Sequence, residues 1–215
     1  EHMENGPCNS TELLAILERI NPEVIFIEVP ATTLAAQLNG IWKNLESIAV
    51  RRYCEHHQAD LIPVDLPTPE DAFFANYLDV VDRVRLTGPE FIHAANLHKD
   101  YVYTYGLEYL NSEYCSDTLF KLHEAILGGI EKLGERRLAE NYEIWIKTIE
   151  RRDIAMMENI EKYCQQASFT NGAFLVGAAH RRSIMSLSQS EARPGASTIQ
   201  WNYSGFLEGP FCPQI

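Results

Sequence analysis

Apolar positions along the chain follow two periods, and the switches between them mark the elements. Leu13, Leu14, Leu17 and Ile20 recur at three- and four-residue spacing behind the capping run Asn9-Ser10-Thr11-Glu12. A helix is predicted there, ending at Asn21-Pro22. Val24-Ile25-Phe26-Ile27 is a continuous run rich in β-branched residues, the mark of a parallel strand buried on both faces. Residues 31–58 return to helical spacing in two pieces broken near Asn39-Gly40, through Trp42, Leu45, Ile48 or Ala49, and Tyr53. Ala59–Asp65 is a second short strand, Pro67 and Pro69 turn the chain, and a helix is predicted from about Glu70 to Leu86. Residues 87–118 are the least regular, with a break at Gly88-Pro89 and only a short helix over Glu90–Lys99. A helix over Leu119–Leu133 follows, weakened by Gly128-Gly129. The longest helix is predicted from about Glu135 to Gln166, on the order of 45 Å if continuous. Ala173–Val176 is a third strand, a helix runs from His180 to about Glu191, and Ala196–Tyr203 is predicted as a last strand before an irregular tail.

This order of elements predicts an α/β fold: a mainly parallel central sheet flanked by helices, with a long helical insertion. At 215 residues the simplest organisation is a single α/β domain over 1–215, with residues 70–134 as a helical, tyrosine-rich insertion or lid. The opening residues EHMENGPCNS lack an initiator methionine and run straight into a helix cap, so a short first strand is expected before Glu1.

Charge and cysteine usage narrow the partners. The net charge of −12 and the pI near 5.0 argue against nucleic acid and anionic membranes. No apolar run approaches the roughly 18–20 residues of a membrane span. The five cysteines, at positions 8, 54, 115, 164 and 212, are odd in number and lack CxxC spacing, which points to a reduced, cytoplasmic protein.

The candidate chemistry gathers at strand ends. Glu28 closes the first apolar run and Asp65 the second, and in open α/β sheets the C-terminal strand edge is where ligands bind. The third run, Gly172–Ser186 (GAFLVGAAHRRSIMS), delivers His180 beside a helix start. Each of these residues also has an ordinary reading as a solvated strand end or helix cap. The long helix adds a sharper signal. Its stripe of Leu138, Tyr142, Trp145, Ile149, Met156, Ile160 and Tyr163 is interrupted by Arg152 or Asp153, so at least one charge points inward in ERRDIAMMENI. A buried arginine must be paired, either as a structural ion pair or to orient a catalytic carboxylate or grip an anionic group. Tyr101, Tyr103 and Tyr105 belong to a segment with five tyrosines in fifteen residues, suited to a ligand wall, a subunit interface or a half-buried lid. His56 and His57 fall near a helix end and read as surface groups, and His93 and His98, five apart, share no helix face.

No nucleophile elbow, P-loop, HExxH, GxGxxG or CxxC is present. The combination of NPEVIFIE at 21–28, ERRDIAMM at 150–157 and FLVGAAHRRSIM at 174–185 resembles the TraB/Tiki superfamily, the clan that includes erythromycin esterase-like and ChaN-like proteins. The resemblance implies a strand-borne Glu28, an Arg152-to-Met156 helix segment and a GxxH motif at Gly177–His180. It implies a hydrolase that uses Glu28, Arg152 and His180 to activate water against an ester or peptide bond in a small-molecule or peptide substrate. Asp65, Asp153 and the three tyrosines would border the substrate. A divalent metal (Zn, Mn or Co) held by His2, Glu28 and His180 is an optional part of that expectation. So is a homodimer. The alternative it leaves open is a non-catalytic regulatory, ligand-binding or metal-binding protein.

Overall fold

The computed structural model describes residues 6–41, 43–190 and 199–203. Its centre is a three-stranded parallel sheet of β1 (Val24–Ile27), β2 (Asp60–Pro63) and β3 (Gly172–Leu175), in the order β2-β1-β3. Eight helices surround it among the described residues: α1 (Ser10–Ile20), α2 (Leu34–Leu38), α3 (Leu45–Cys54), α4 (Asp71–Val84), α5 (Pro89–Leu110), α6 (Glu113–Leu133), α7 (Arg136–Gln166) and α8 (Arg181–Ser188). None of the described helices is long and apolar enough to cross a membrane.

All four residues of β1 are buried, as a central strand covered on both faces requires. Ile25 and Ile27 face α1 and α3 in a core with Leu17, Val50, Tyr53 and Ala173. Val24 and Phe26 face the other way, into a core with Met156, Met157 and Ile160 of α7 and Ile184 of α8. The registers are in phase: Ile27 is level with Pro63 on one side and Leu175 on the other. The three chains therefore leave the sheet along one edge. There Glu28 sits in the middle, flanked by the segment leading to Asp65 and by the segment leading to His180.

The local chemistry of the caps matches the element boundaries. The Asn9 side chain accepts from the backbone N–H groups of Thr11 and Glu12, and Asn21 closes α1 in the left-handed region at φ 49°. Asn44 caps α3 and Ser112 caps α6 in the same manner.

Two stretches differ from the sequence reading. Residues 87–118 are almost wholly helical, because α5 runs from Pro89 to Leu110 and α6 starts at Glu113 rather than Leu119. The helix tolerates Gly106 by kinking there, with φ 54° and ψ −130°, a backbone state reserved for glycine. The kink also lets α5 touch the Pro7–Cys8 backbone, where a side chain at 106 would collide. Gly129 does not break α6 either, since its bare face receives Val84 of α4. The predicted last strand lies partly outside the described residues, and its described part, residues 199–203, is not strand.

The helical middle has a core of its own. Val80 and Val84 of α4, Phe91 of α5, Ile126 and Ile130 of α6, and Leu138 and Tyr142 of α7 are buried together. Thus α7 packs with its first half on helices and its second half on the sheet. The sheet-edge residues lie beside the stretch in between.

Candidate functional site at the sheet edge

Five charged side chains from four separate segments meet at the C-terminal edge of the sheet. Glu28 follows β1, Asp65 lies two residues beyond β2, Arg152 and Asp153 come from the middle of α7, and His180 ends the single turn of tighter helix, Ala178–His180, before α8. Asn159 anchors α7 above this edge by donating to the Val64 carbonyl at 2.8 Å.

Arg152 forms the hub. Its Nη2 donates to Glu28 Oε1 at 2.7 Å and to Asp65 Oδ2 at 2.6 Å, while Nε donates to Asp65 Oδ1 at 3.1 Å. The Asp65 contact is a two-point fork of the kind only a planar guanidinium makes. His180 forms the second arm. Its Nε2 lies 3.1 Å from Glu28 Oε1, and its Nδ1 is bonded to Asp153 Oδ1. The remaining Glu28 oxygen accepts the Gly177 backbone N–H at 2.6 Å. A side-chain carbon at 177 would lie 3.3 Å from that carboxylate oxygen, a tight contact.

Exposure sorts these groups. Arg152 and Glu28 keep 18% and 16% of their side-chain surface open, whereas Asp65 keeps 5% and Asp153 2%. Glu28 and Arg152 can meet a ligand, and the two aspartates stand behind and hold them and His180 in place. Among the described residues, Glu28, Arg152, Asp153 and His180 border one broad open cavity that spreads well beyond this edge.

Protonation follows from the same contacts. Burial disfavours the Glu28 carboxylate, but the His180 bond, the Gly177 N–H and Arg152 outweigh it and bring its pKa down to about 2. Burial also disfavours the His180 imidazolium, yet its bonds to Asp153 and Glu28 prevail and push its pKa up to about 9. At neutral pH His180 is therefore charged and donates from both nitrogens. For Arg152, burial is again opposed, chiefly by Asp65 and then Glu28, and its pKa is raised further.

The structure thus brings together Glu28, Asp65, Arg152, Asp153 and His180. It does not bring the tyrosines to them. Tyr101 and Tyr105 pack on the α5–α6 core around Tyr109 and Cys115, Tyr103 points to solvent with 63% exposure, and none of the three borders the cavity. Helical spacing accounts for this, since α5 turns these rings toward its own partner helices and toward water. His98 donates to or accepts from Tyr109 Oη at 3.0 Å and is likewise apart from the cluster. His2 lies outside the described residues. Most of the cavity's border, Trp145, Ile149, Arg181 and Arg182 among it, escaped the sequence reading as site residues. The Gly177 N–H was equally hidden, because a backbone donor leaves no mark in the side-chain pattern.

No family model matches the chain, and no curated protein or solved structure matches it significantly.

Proposed function

We propose that the protein is a hydrolase that activates water against a carboxylic ester or a peptide bond at the Glu28–Arg152–His180 cluster. The observation that carries this reading is the convergence on one sheet edge of a carboxylate, a guanidinium and an imidazolium, with a buried acid behind each cation. In the free protein Glu28 is held ionised and weakly basic by three sets of donors. A carbonyl oxygen entering beside it competes for two of them, the Arg152 and His180 N–H groups. As those donors turn to the substrate, Glu28 loses the contacts that depress its pKa and becomes able to accept a proton from water. The water oxygen bonds to the carbonyl carbon, and the carbonyl electron pair moves onto oxygen, where Arg152 and His180 hold it. Collapse of that intermediate expels the alcohol or amine, which takes the proton from Glu28. Asp153 keeps His180 oriented through Nδ1, as an acid does behind a catalytic histidine.

The resemblance to the TraB/Tiki superfamily agrees with this choice of Glu28, Arg152 and His180, and an erythromycin esterase-like or ChaN-like fold is the finer form of the proposal. The cysteines at 54, 115 and 164 are free thiols, which favours a reducing, cytoplasmic setting. A divalent metal fits this cluster poorly. Both His180 nitrogens face carboxylates and both Glu28 oxygens accept hydrogen bonds, so neither offers a metal an uncommitted donor. No step above is routed through one.

The same closure favours one second reading. A cluster whose members satisfy one another also serves as a structural or ligand-gated ion-pair hub in a non-catalytic regulatory protein. The two separate in a turnover assay on ester and peptide panels, with and without Zn²⁺, Mn²⁺ or Co²⁺. Under the hydrolase reading, His180→Ala and Glu28→Gln each lower kcat at least a hundredfold. Full activity in His180→Ala would overturn the mechanism.

A further inference from the structure

His180 serves the cluster only if its backbone stays in place. The Gly177 N–H has the same requirement, since it donates to Glu28 from the residue that opens the same turn. Little within the turn secures this. The His180 N–H donates back to the Gly177 carbonyl at 2.9 Å, and neither this turn nor α8 begins with a side-chain cap. His180 stands at the capping position of α8, but its ring is turned to Glu28 and Asp153 instead. Uncapped helix ends fray, and fraying here would carry His180 away from both acids. We propose that Arg181, the next residue, is a positioning residue of this site: it docks the Gly177–His180 turn on the junction of α5 and α6 and so holds the His180 ring and the Gly177 N–H against Glu28. The inference rests on the hydrolase reading of the cluster and adds a residue that acts without touching the substrate.

Three observations carry it. First, one guanidinium spans the junction. Arg181 Nε donates at 3.1 Å to the carbonyl of Asn111, the residue that closes α5, and Nη1 donates at 2.7 Å to Oε1 of Glu113, the first residue of α6. A carbonyl at a helix C-terminus has no partner within its helix and takes a cation well. The donors of a guanidinium are fixed in one plane, so two bonds to two helices fix the whole side chain. Second, the Arg181 side chain is only 12% exposed. Its Glu113 partner is open to solvent, so the part-buried bond to the Asn111 carbonyl does most of the holding. Arg182 also reaches α6, through Asp117, but both members of that pair are exposed and water screens them. Third, the turn itself lies against the same hairpin. Ala178 packs on the core that holds Tyr109 of α5 and Cys115 of α6, and the turn touches α6. Adjacent positions diverge by about 100°, so His180 faces Asp153 of α7 while Arg181 faces α6. The turn is clamped from two sides.

The experiment uses the intact chain and two independent readouts. One is the His180 Nδ1–H proton in NMR, which the bond to Asp153 moves downfield and protects from exchange; His180→Gln assigns it. The other is turnover of p-nitrophenyl acetate. Arg181→Gln is expected to lose the protected proton and to lower kcat about tenfold or more. Its KM should stay within about threefold of the parent's, because the substrate does not meet Arg181. Arg181→Lys reaches one acceptor of the two, so the proton should exchange about threefold faster than in the parent, with kcat between those of the parent and Arg181→Gln. If Arg181→Gln fails to fold, the exchange rate in Arg181→Lys decides in its place. A proton and a kcat unchanged in Arg181→Gln would overturn the inference. A raised KM with both of these unchanged would make Arg181 a substrate contact and overturn it equally. Loss of the proton in Arg181→Gln, with no turnover by the parent of any ester or peptide, keeps the positioning role and sinks the hydrolase reading. Turnover that depends on His180 but not on Arg181 does the reverse.

Discussion

At Glu28 one carboxylate answers to three donors, and at His180 one ring answers to two acids. These two residues set how the protein responds to pH. The His180 pKa rises from 6.5 to about 9 on folding, so its contribution to stability is complete below pH 6.5 and is lost as pH climbs through about 9. The Glu28 pKa falls from 4.5 to about 2, so its contribution is complete above pH 4.5 and is lost as pH drops through about 2. The two shifts share one interaction, and together they amount to on the order of 3 kcal/mol rather than twice that. Between pH 4.5 and 6.5 the pair stabilises fully. Thermal melts should therefore show Tm declining from pH 6.5 toward pH 10, and His180→Gln should flatten that alkaline limb. A limb unchanged in the variant would show that another group governs it. Arg152→Met is expected to be the costliest single change at the edge, on the order of 3 kcal/mol by chemical denaturation, because it leaves the buried Asp65 carboxylate without its cation and Glu28 with His180 alone. Arg152→Lys should recover less than half of that loss, since an ammonium cannot reproduce the fork to Asp65.

At the scale of elements, α5 shows where pattern reading has limits. Gly88-Pro89, a run of tyrosines and Gly106 all look like punctuation, and each has a helical use here. Pro89 occupies the first turn, where its missing N–H costs nothing, and Gly106 supplies a kink rather than a stop. Gly106→Ala should destabilise by on the order of 3 kcal/mol, because it needs a forbidden φ and drives a methyl into the Pro7–Cys8 backbone. Gly134→Ala makes a useful contrast: its φ is also positive, at 64°, but nothing lies near the added carbon, so a loss of about 1 kcal/mol is expected in the same denaturation assay. The charged edge was far more legible than α5. Strand runs ending in Glu28, Asp65 and the GAAH segment point to one edge by a general rule of parallel sheets, and Arg152 or Asp153 stood out as a charge inside an apolar stripe, of which Asp153 is the more deeply buried. What the pattern concealed was the division of labour. Adjacent positions on a helix turn by about 100°, so Arg152 reaches Glu28 and Asp65 while Asp153 is carried to the far side of His180, as a support rather than a substrate contact.

Across the whole molecule, two bodies of packing share one helix. The sheet core and the helical core each bury their own apolar residues, and α7 belongs to both. Between them Ile149 lies half-buried in a gap that neither core reaches. That gap was not legible in the sequence, because an apolar stripe records which residues avoid water and not which of them find a protein partner.

The separation of the cluster along the chain also bears on when it forms. Arg152 and Glu28 are 124 positions apart, and Gly177 and Glu28 are 149. By contrast α5 and α6 are neighbours in sequence and form one of the most heavily contacted pairs. Closing loops of such length early is entropically unfavourable, so helical hairpins are expected to order first and the charged edge last. Cluster residues would then be absent from the transition state. In stopped-flow chevrons, Arg152→Met should speed unfolding by nearly its full loss of stability and leave the refolding rate within about twofold of the original. The edge that holds the proposed chemistry would in that case act as the latch of the fold, governing how long a molecule stays native rather than how fast it becomes so.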